Sequence, residues 1–207
     1  YKVPLICRTL EYGHSVSILG SRPPNRIWVA PGNDAGHWSA LLETLFDTPL
    51  ELLSSPWPFL LNNSNPLLHP SRCMSLFRHY REGTFYDRQF LFYEEWTEEA
   101  SELYIRADQE LLALCSRCPG MEIGRDIIPV LNYYESRNAA ELTGKIRSIP
   151  AFRGVKAPMV LREQGWAPDF ASRYFTEDVP LGTGPICRLA EKLGVPSPTL
   201  HSFVEWN

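Results

Sequence analysis

The sequence has no apolar run long enough to cross a bilayer, and its first residues, YKVPLICRTLEYG, lack the charged segment followed by an apolar stretch that marks a secretory leader. The expectation is a cytoplasmic protein with no membrane partner. It also lacks an excess of either charge: 20 Lys and Arg stand against 24 Asp and Glu, a formal net charge of -4, which leaves no electrostatic footprint for nucleic acid. Cysteine is sparse, and five is an odd number, so a secreted disulfide framework is excluded in favour of reduced thiols. The closest pair, Cys115 and Cys118, lacks two further ligands at matching spacing and a preceding strand; it ends an apolar helical pattern, and the structural reading outweighs a metal or redox site. His14, His37, His79 and His201 show no ligand spacing either, and no metal is expected. Internal repeats and low-complexity tracts are absent.

What is present is a chain of 207 residues, 44% apolar, long enough to bury a substantial core. HSVSILG and NRIWVAP are short β-branched runs separated by a turn-forming GSRPPN, most simply two strands joined by a hairpin-like connection. In DAGHWSALLETLFDTP, Trp38, Leu41, Leu42 and Leu45 recur at helical spacing, with Asp34 as N-cap and Pro49 beyond the end. Such a strand-strand-helix portion resembles an edge of an α/β unit, which alone exposes apolar faces, and the chain is expected to begin inside a larger protein. From about Leu52 strand signals nearly vanish, placing a domain boundary near residue 50, between segments 1–50 and 51–207.

The clearest helix runs through EEASELYIRADQELLALC, with Thr97 as N-cap and Ala100, Leu103, Ala107, Leu111 and Leu114 as one apolar stripe. A second, GPICRLAEKLG, has Ile186, Leu189, Ala190 and Leu193 on one side, Thr183 as cap and Gly194 as its left-handed stop. PSPTLHSFVEW restarts with Ser197 as cap and Pro198 at the first helical position. DIIPVLNYYES and NAAELTGKIRS are weaker helical stretches, and the passage from Ile149 to Pro168 reads as a long ordered loop.

Two polar clusters are candidates for chemistry. In LNNSNPLLHP, Pro66 at the first helical position makes Asn65 the N-cap, so that Asn62, Asn65 and His69 approach one side of the first turn, while Pro70 leaves backbone groups in need of other partners. The plainer alternative is an Asn cap and a His satisfying a buried carbonyl. In DFASRYFTEDVPLGTGP, Arg173, Glu177 and Asp178 precede a Pro/Gly turn: either a solvated charged loop, or a carboxylate able to orient a histidine beside an arginine suited to an organic carboxylate.

Together and in this order the clusters resemble the octopine/nopaline (opine) dehydrogenase helical domain. CRTLEYGHSVSILG followed by NRIWVAP resembles the end of that family's nucleotide-binding domain, LNNSNPLLHP its Asn-rich approach to a His-Pro pair, and RYFTEDVPLGTGPICRLAEKLGVPSPTLHSFVEW its closing signature. Between Ser71 and Gly165 the likeness rests on helix placement and FYEEWT. The resemblance implies a mainly α fold, a helical substrate and catalytic domain of the 6-phosphogluconate-dehydrogenase-like kind after a small α/β remnant of a Rossmann domain. It implies His69 as catalytic proton donor and acceptor, Asp178 as its partner carboxylate, and Arg173, Asn65 and Asn62 as substrate-binding residues. Thr183 departs from the larger apolar residue usual after the Pro-x-Gly turn.

The implied reaction condenses an α-keto acid such as pyruvate with an amino acid and reduces the imine with NADH or NADPH. An imidazole suits proton transfer near neutrality, a carboxylate on its other nitrogen fixes the tautomer, and a guanidinium grips a carboxylate in bidentate fashion. No Gly-x-Gly-x-x-Gly occurs, so the cofactor is expected to be held by a domain this chain lacks, and the chain alone to be inactive. His69 and Asp178 are expected within hydrogen-bond reach, lining a concavity, with a homodimer as the candidate assembly. The alternatives are a related dehydrogenase for another keto or hydroxy acid, and a non-catalytic interaction module presenting Trp57, Phe85, Tyr86, Phe90, Phe92, Tyr93 and Trp96 at its surface.

Overall fold

The computed structural model describes residues 5–21 and 25–207, in two compact units, Tyr1–Leu60 and Leu61–Asn207. In the first unit, strand β1 (Leu5–Glu11) pairs antiparallel with β2 (Ser15–Ser21), and β3 (Asn25–Ile27) pairs parallel with β4 (Leu50–Leu52) across helix α1 (Ala35–Phe46). The hairpin expected between HSVSILG and NRIWVAP is therefore corrected: the first run pairs back onto LICRTLE across a turn with Gly13 at φ 75, and the second pairs with a strand beyond the helix. A parallel partner needs a crossover, which α1 supplies. Asp34 caps α1 by accepting from the His37 amide at 3.0 Å, and Asp47, left-handed at φ 48, stops it before Pro49. Trp38, Leu41 and Leu45 stay exposed, so the apolar face expected to need cover is open in this unit.

A short helix α2 (Trp57–Leu60) ends the first unit. The second is built on α3 (Asn65–Phe77) and α4 (Glu98–Cys115), followed by α5 (Val130–Tyr133), α6 (Ala139–Ser148), a hairpin of β5 (Met159–Arg162) and β6 (Gly165–Pro168), α7 (Arg173–Thr176), α8 (Gly184–Leu193) and α9 (Pro198–Trp206). The stripe read on α4 is the core: Ala100, Leu103, Ala107, Leu111 and Leu114 are all buried, and Thr97 accepts from the Ala100 amide. Cys115 closes this helix and Cys118 is buried just beyond it, in keeping with their structural reading. On α8, Ile186 and Ala190 are buried, Leu189 and Leu193 half-buried, and Gly194 stops the helix at φ 64.

Three local expectations are overturned by long-range contacts. The passage from Ile149 to Pro168 contains β5 and β6, strands too short to show alternation; β6 also bridges to Tyr86 through Trp166, and a Cβ on the neighbouring Gly165 would come within 2.7 Å of the Tyr86 carbonyl oxygen. Ser197 makes no side-chain cap; the Thr199 and Leu200 amides of α9 donate instead to the Glu110 carboxylate on α4, at 2.8 and 2.9 Å. Thr183 does not cap α8 either, because its hydroxyl is engaged elsewhere, as described next.

Candidate active site

Helix α3 begins at Asn65, with Pro66 in its first turn and Ser64, not Asn65, at the cap position. Asn62 accounts for the shift: its Oδ1 accepts from the Ser64 hydroxyl at 2.6 Å and the Ser64 amide at 3.3 Å, folding the turn one residue earlier. The neighbouring Asn63 ties this turn to the core, donating to Asp108 on α4 at 2.7 Å and to the Ile128 carbonyl at 2.8 Å. Asp108 also accepts from the Val130 amide, and burial raises its carboxyl above the ordinary range.

Pro70 sits inside α3 without an amide hydrogen to give the Pro66 carbonyl. The expected substitute partner comes from far along the chain: the Thr183 hydroxyl donates to Pro66 O at 2.6 Å. Thr183 closes a π-helical turn, Asp178–Thr183, which lies so close to α3 that a Cβ on Gly182 would stand 3.0 Å from the Pro66 ring. The turn is thereby clamped one helical turn before His69, with Asp178 at its other end.

His69 Nδ1 and Asp178 Oδ2 are 2.7 Å apart, the hydrogen-bond reach expected, with His69 8% exposed. An ionised carboxylate only accepts, so Nδ1 carries the hydrogen and the neutral ring keeps its lone pair on Nε2. Nε2 meets the Tyr93 hydroxyl at 3.0 Å. Tyr174 and Phe92 present rings edge-on to the imidazole, at centroid distances of 4.5 and 5.7 Å. Phe152 stacks on Tyr93 at 4.0 Å. Burial pushes the Tyr93 phenol well above its ordinary value and that of Tyr174 up to about 12, so both hydroxyls keep their hydrogens at neutral pH. Burial likewise raises the Cys73 thiol, with the nearby Asp178 charge adding to it.

One turn after His69, buried Arg72 donates through Nε to the Phe92 carbonyl at 2.8 Å. Positions three apart share a helix face, so α3 grips the segment carrying Phe92 and Tyr93 at two points. Desolvation lowers the Arg72 guanidinium to about 10. Neither Arg72 nor Tyr93 was singled out for a site role by sequence pattern; FYEEWT was the available signal, because it places an aromatic cluster next to a helix cap.

Of the other expected site residues, Asn62 is engaged with Ser64, Asn65 is exposed on the first turn of α3, and Arg173 is 77% exposed on α7, 3.4 Å from Glu177. A cavity of about 110 Å³ in this unit lies between Phe77, Phe170, Phe175 and Trp206. Of the aromatics that the interaction-module alternative would present, Phe92, Tyr93 and Trp96 are buried, and Trp57, Phe85, Tyr86 and Phe90 half-buried.

Among the described residues, the β3–α1 connection does not fit a dinucleotide cradle. The β3–α1 connection carries one glycine, Gly32, and Asp34 occupies the α1 N-terminus, placing a negative side chain where a pyrophosphate would have to sit. Among the described residues no helix is long and apolar enough to cross a membrane, and no cluster of side chains could hold a metal ion.

Comparison with known proteins agrees with this architecture. The chain is 27% identical to tauropine dehydrogenase of Arabella iricolor over 99% of its own length and 55% of that protein, and 25% identical to octopine dehydrogenase of Mizuhopecten yessoensis over 99% and 54%. It thus spans about half the length of the curated relatives it matches. A solved structure of octopine dehydrogenase with NADH and L-arginine shares the fold at a TM-score of 0.76 and 22% identity, covering 98% of this chain and 53% of that one. Residues 52–207 match the alpha-helical domain of NAD/NADP octopine/nopaline dehydrogenases, and the chain belongs to that family.

Proposed function

We propose that this chain is the proton-handling and substrate-binding part of an opine dehydrogenase, in which an α-keto acid such as pyruvate condenses with the amino group of an amino acid and the imine is reduced to an N-(carboxyalkyl) amino acid. The observation that carries the reading is the shielded His69–Asp178 pair, 2.7 Å apart. NADH or NADPH, held mainly outside these residues, supplies the hydride.

The residues of this chain hold and move the proton. Condensation forms a carbinolamine, whose hydroxyl must take up a proton to leave as water. His69 gives that proton from Nε2 and takes it back in the reverse direction, while Asp178 keeps Nδ1–H in place. The guanidinium of Arg173 is exposed and paired with Glu177 in solvent, which leaves it available to a substrate carboxylate. Asn65, exposed at the start of the helix bearing His69, and Asn62, with its amide nitrogen uncommitted to Ser64, are the accompanying substrate contacts.

The test follows NAD(P)H oxidation by the whole protein with pyruvate across a panel of amino acids, beside His69→Ala and Asp178→Asn. Amino-acid-dependent oxidation that falls by about a hundredfold or more in both folded variants supports the assignment. Turnover that survives in both, or a folded protein inactive on every pair, refutes it. The chain alone is expected to show no turnover.

A further inference from the structure

Both hydrogen-bonding positions of His69 are filled from within the protein. An imidazole has one in-plane direction at each nitrogen; Asp178 occupies that at Nδ1 and the Tyr93 hydroxyl that at Nε2, 2.7 and 3.0 Å away. The edge-on rings of Tyr174 and Phe92 oppose rotation of the imidazole, and His69 and Tyr93 are only 8% and 7% exposed. A proton leaving His69 must therefore pass to one of two oxygens, or a shielded hydrogen bond must break first. Asp178 is the anchor that keeps Nδ1–H. A phenol differs from a carboxylate in being able to accept one hydrogen while donating another. We infer that Tyr93 is the proton relay of this site: its oxygen accepts the Nε2 hydrogen of protonated His69 as its own hydrogen passes to the oxygen leaving the substrate.

The step balances. The Nε2–H bond and the Tyr93 O–H bond break; a new O–H forms on Tyr93 and another on the substrate hydroxyl. The C–O bond of that hydroxyl then breaks with its electron pair leaving on water, while the amine nitrogen lone pair forms the C=N bond of an iminium that carries the positive charge His69 gave up. Tyr93 ends unchanged, and His69 ends neutral with Nδ1–H still on Asp178. Because the Tyr93 phenol is raised well above its ordinary value by burial, a free phenolate does not accumulate between the two transfers. Arg72 acts as a positioning residue here, since its bond to the Phe92 carbonyl fixes the backbone next to Tyr93. The inference rests on the proposed reaction for its substrate, but the route from Nε2 to Tyr93 can be tested without it.

The experiment compares the whole protein with Tyr93→Phe and with 3-fluorotyrosine incorporated at position 93. The phenylalanine variant is expected to lose about a hundredfold in kcat with KM nearly unchanged, as for removal of a general acid. Its solvent-isotope proton inventory should change from curved, two protons in flight, to linear. Fluorotyrosine keeps the shape and hydroxyl, so it should restore turnover with a displaced pH profile, whether or not the phenylalanine variant folds well. Independently of turnover, the solvent exchange of the Nε2 hydrogen of protonated His69, followed by NMR at a pH where the ring carries both hydrogens, should slow in Tyr93→Phe. A kcat within about twofold of the wild type, or exchange that is unchanged or faster, overturns the relay. A whole protein that turns over no keto acid and amine pair but shows slowed exchange in Tyr93→Phe would refute the proposed function while leaving the relay supported.

Discussion

Replacing Thr183 by valine tests how the site is assembled. The substitution keeps the branched shape of a fully buried side chain but removes the hydroxyl that donates to Pro66 O at 2.6 Å. Leaving a shielded carbonyl without that donor costs about 1–3 kcal/mol. For a chain of this size the loss corresponds to a fall in Tm of about 2–4 °C for each kcal/mol. The cost should depend on Pro70, because only a proline there denies Pro66 its usual helical donor. In a Pro70→Ala background the restored amide supplies a hydrogen to the same carbonyl, and Thr183→Val should then cost less by about 1 kcal/mol, a coupling within the range for residues sharing one network. Urea or thermal denaturation of the four proteins, followed by circular dichroism, measures the cycle. A Thr183→Val variant as stable as the wild type, or one equally destabilised in both backgrounds, would refute the claim that the two residues act as one clamp.

Two further outcomes follow from the buried and titrating groups. Burial raises the Cys73, Cys115, Cys118 and Cys187 thiols, those of Cys115 and Cys187 to about 12 and 11, whereas Cys7 is exposed; a thiol reagent at neutral pH should label Cys7 in the folded chain and the other four only after unfolding. The Glu191 carboxylate, 2.9 Å from His201 Nε2, together with the Ser197 carbonyl, raises His201 above the ordinary histidine value, so the stabilisation it brings is complete below that value and lost as pH rises through the raised one. NMR titration should find the His201 midpoint elevated in the wild type and lowered by Glu191→Gln.

The elements that rest on neighbouring residues are the ones the sequence reveals. Helix α4 is legible because Thr97 and a stripe repeating every three or four residues lie within one segment, and α1 because Asp34 caps a similar pattern. The two site clusters are legible as concentrations of polar groups beside prolines, and the need for a substitute donor at Pro66 follows from Pro70 alone. What chain-local chemistry does not disclose is which distant group answers such a need. Thr183, Asp178, Tyr93 and Glu110 reach Pro66, His69 and the start of α9 across separations of 117, 109, 24 and 89 or 90 residues. Local capping rules therefore assigned Thr183 and Ser197 to their own helices, whereas folding gave Thr183 to α3 and the α9 amides to α4. Likewise, Tyr93 read as one aromatic among several until packing set its hydroxyl against Nε2. Residue types and their spacing establish that this chain carries an imidazole, a carboxylate and a mainly helical scaffold. Tertiary packing alone decides that the imidazole is held at both nitrogens, because that depends on where remote segments come to rest.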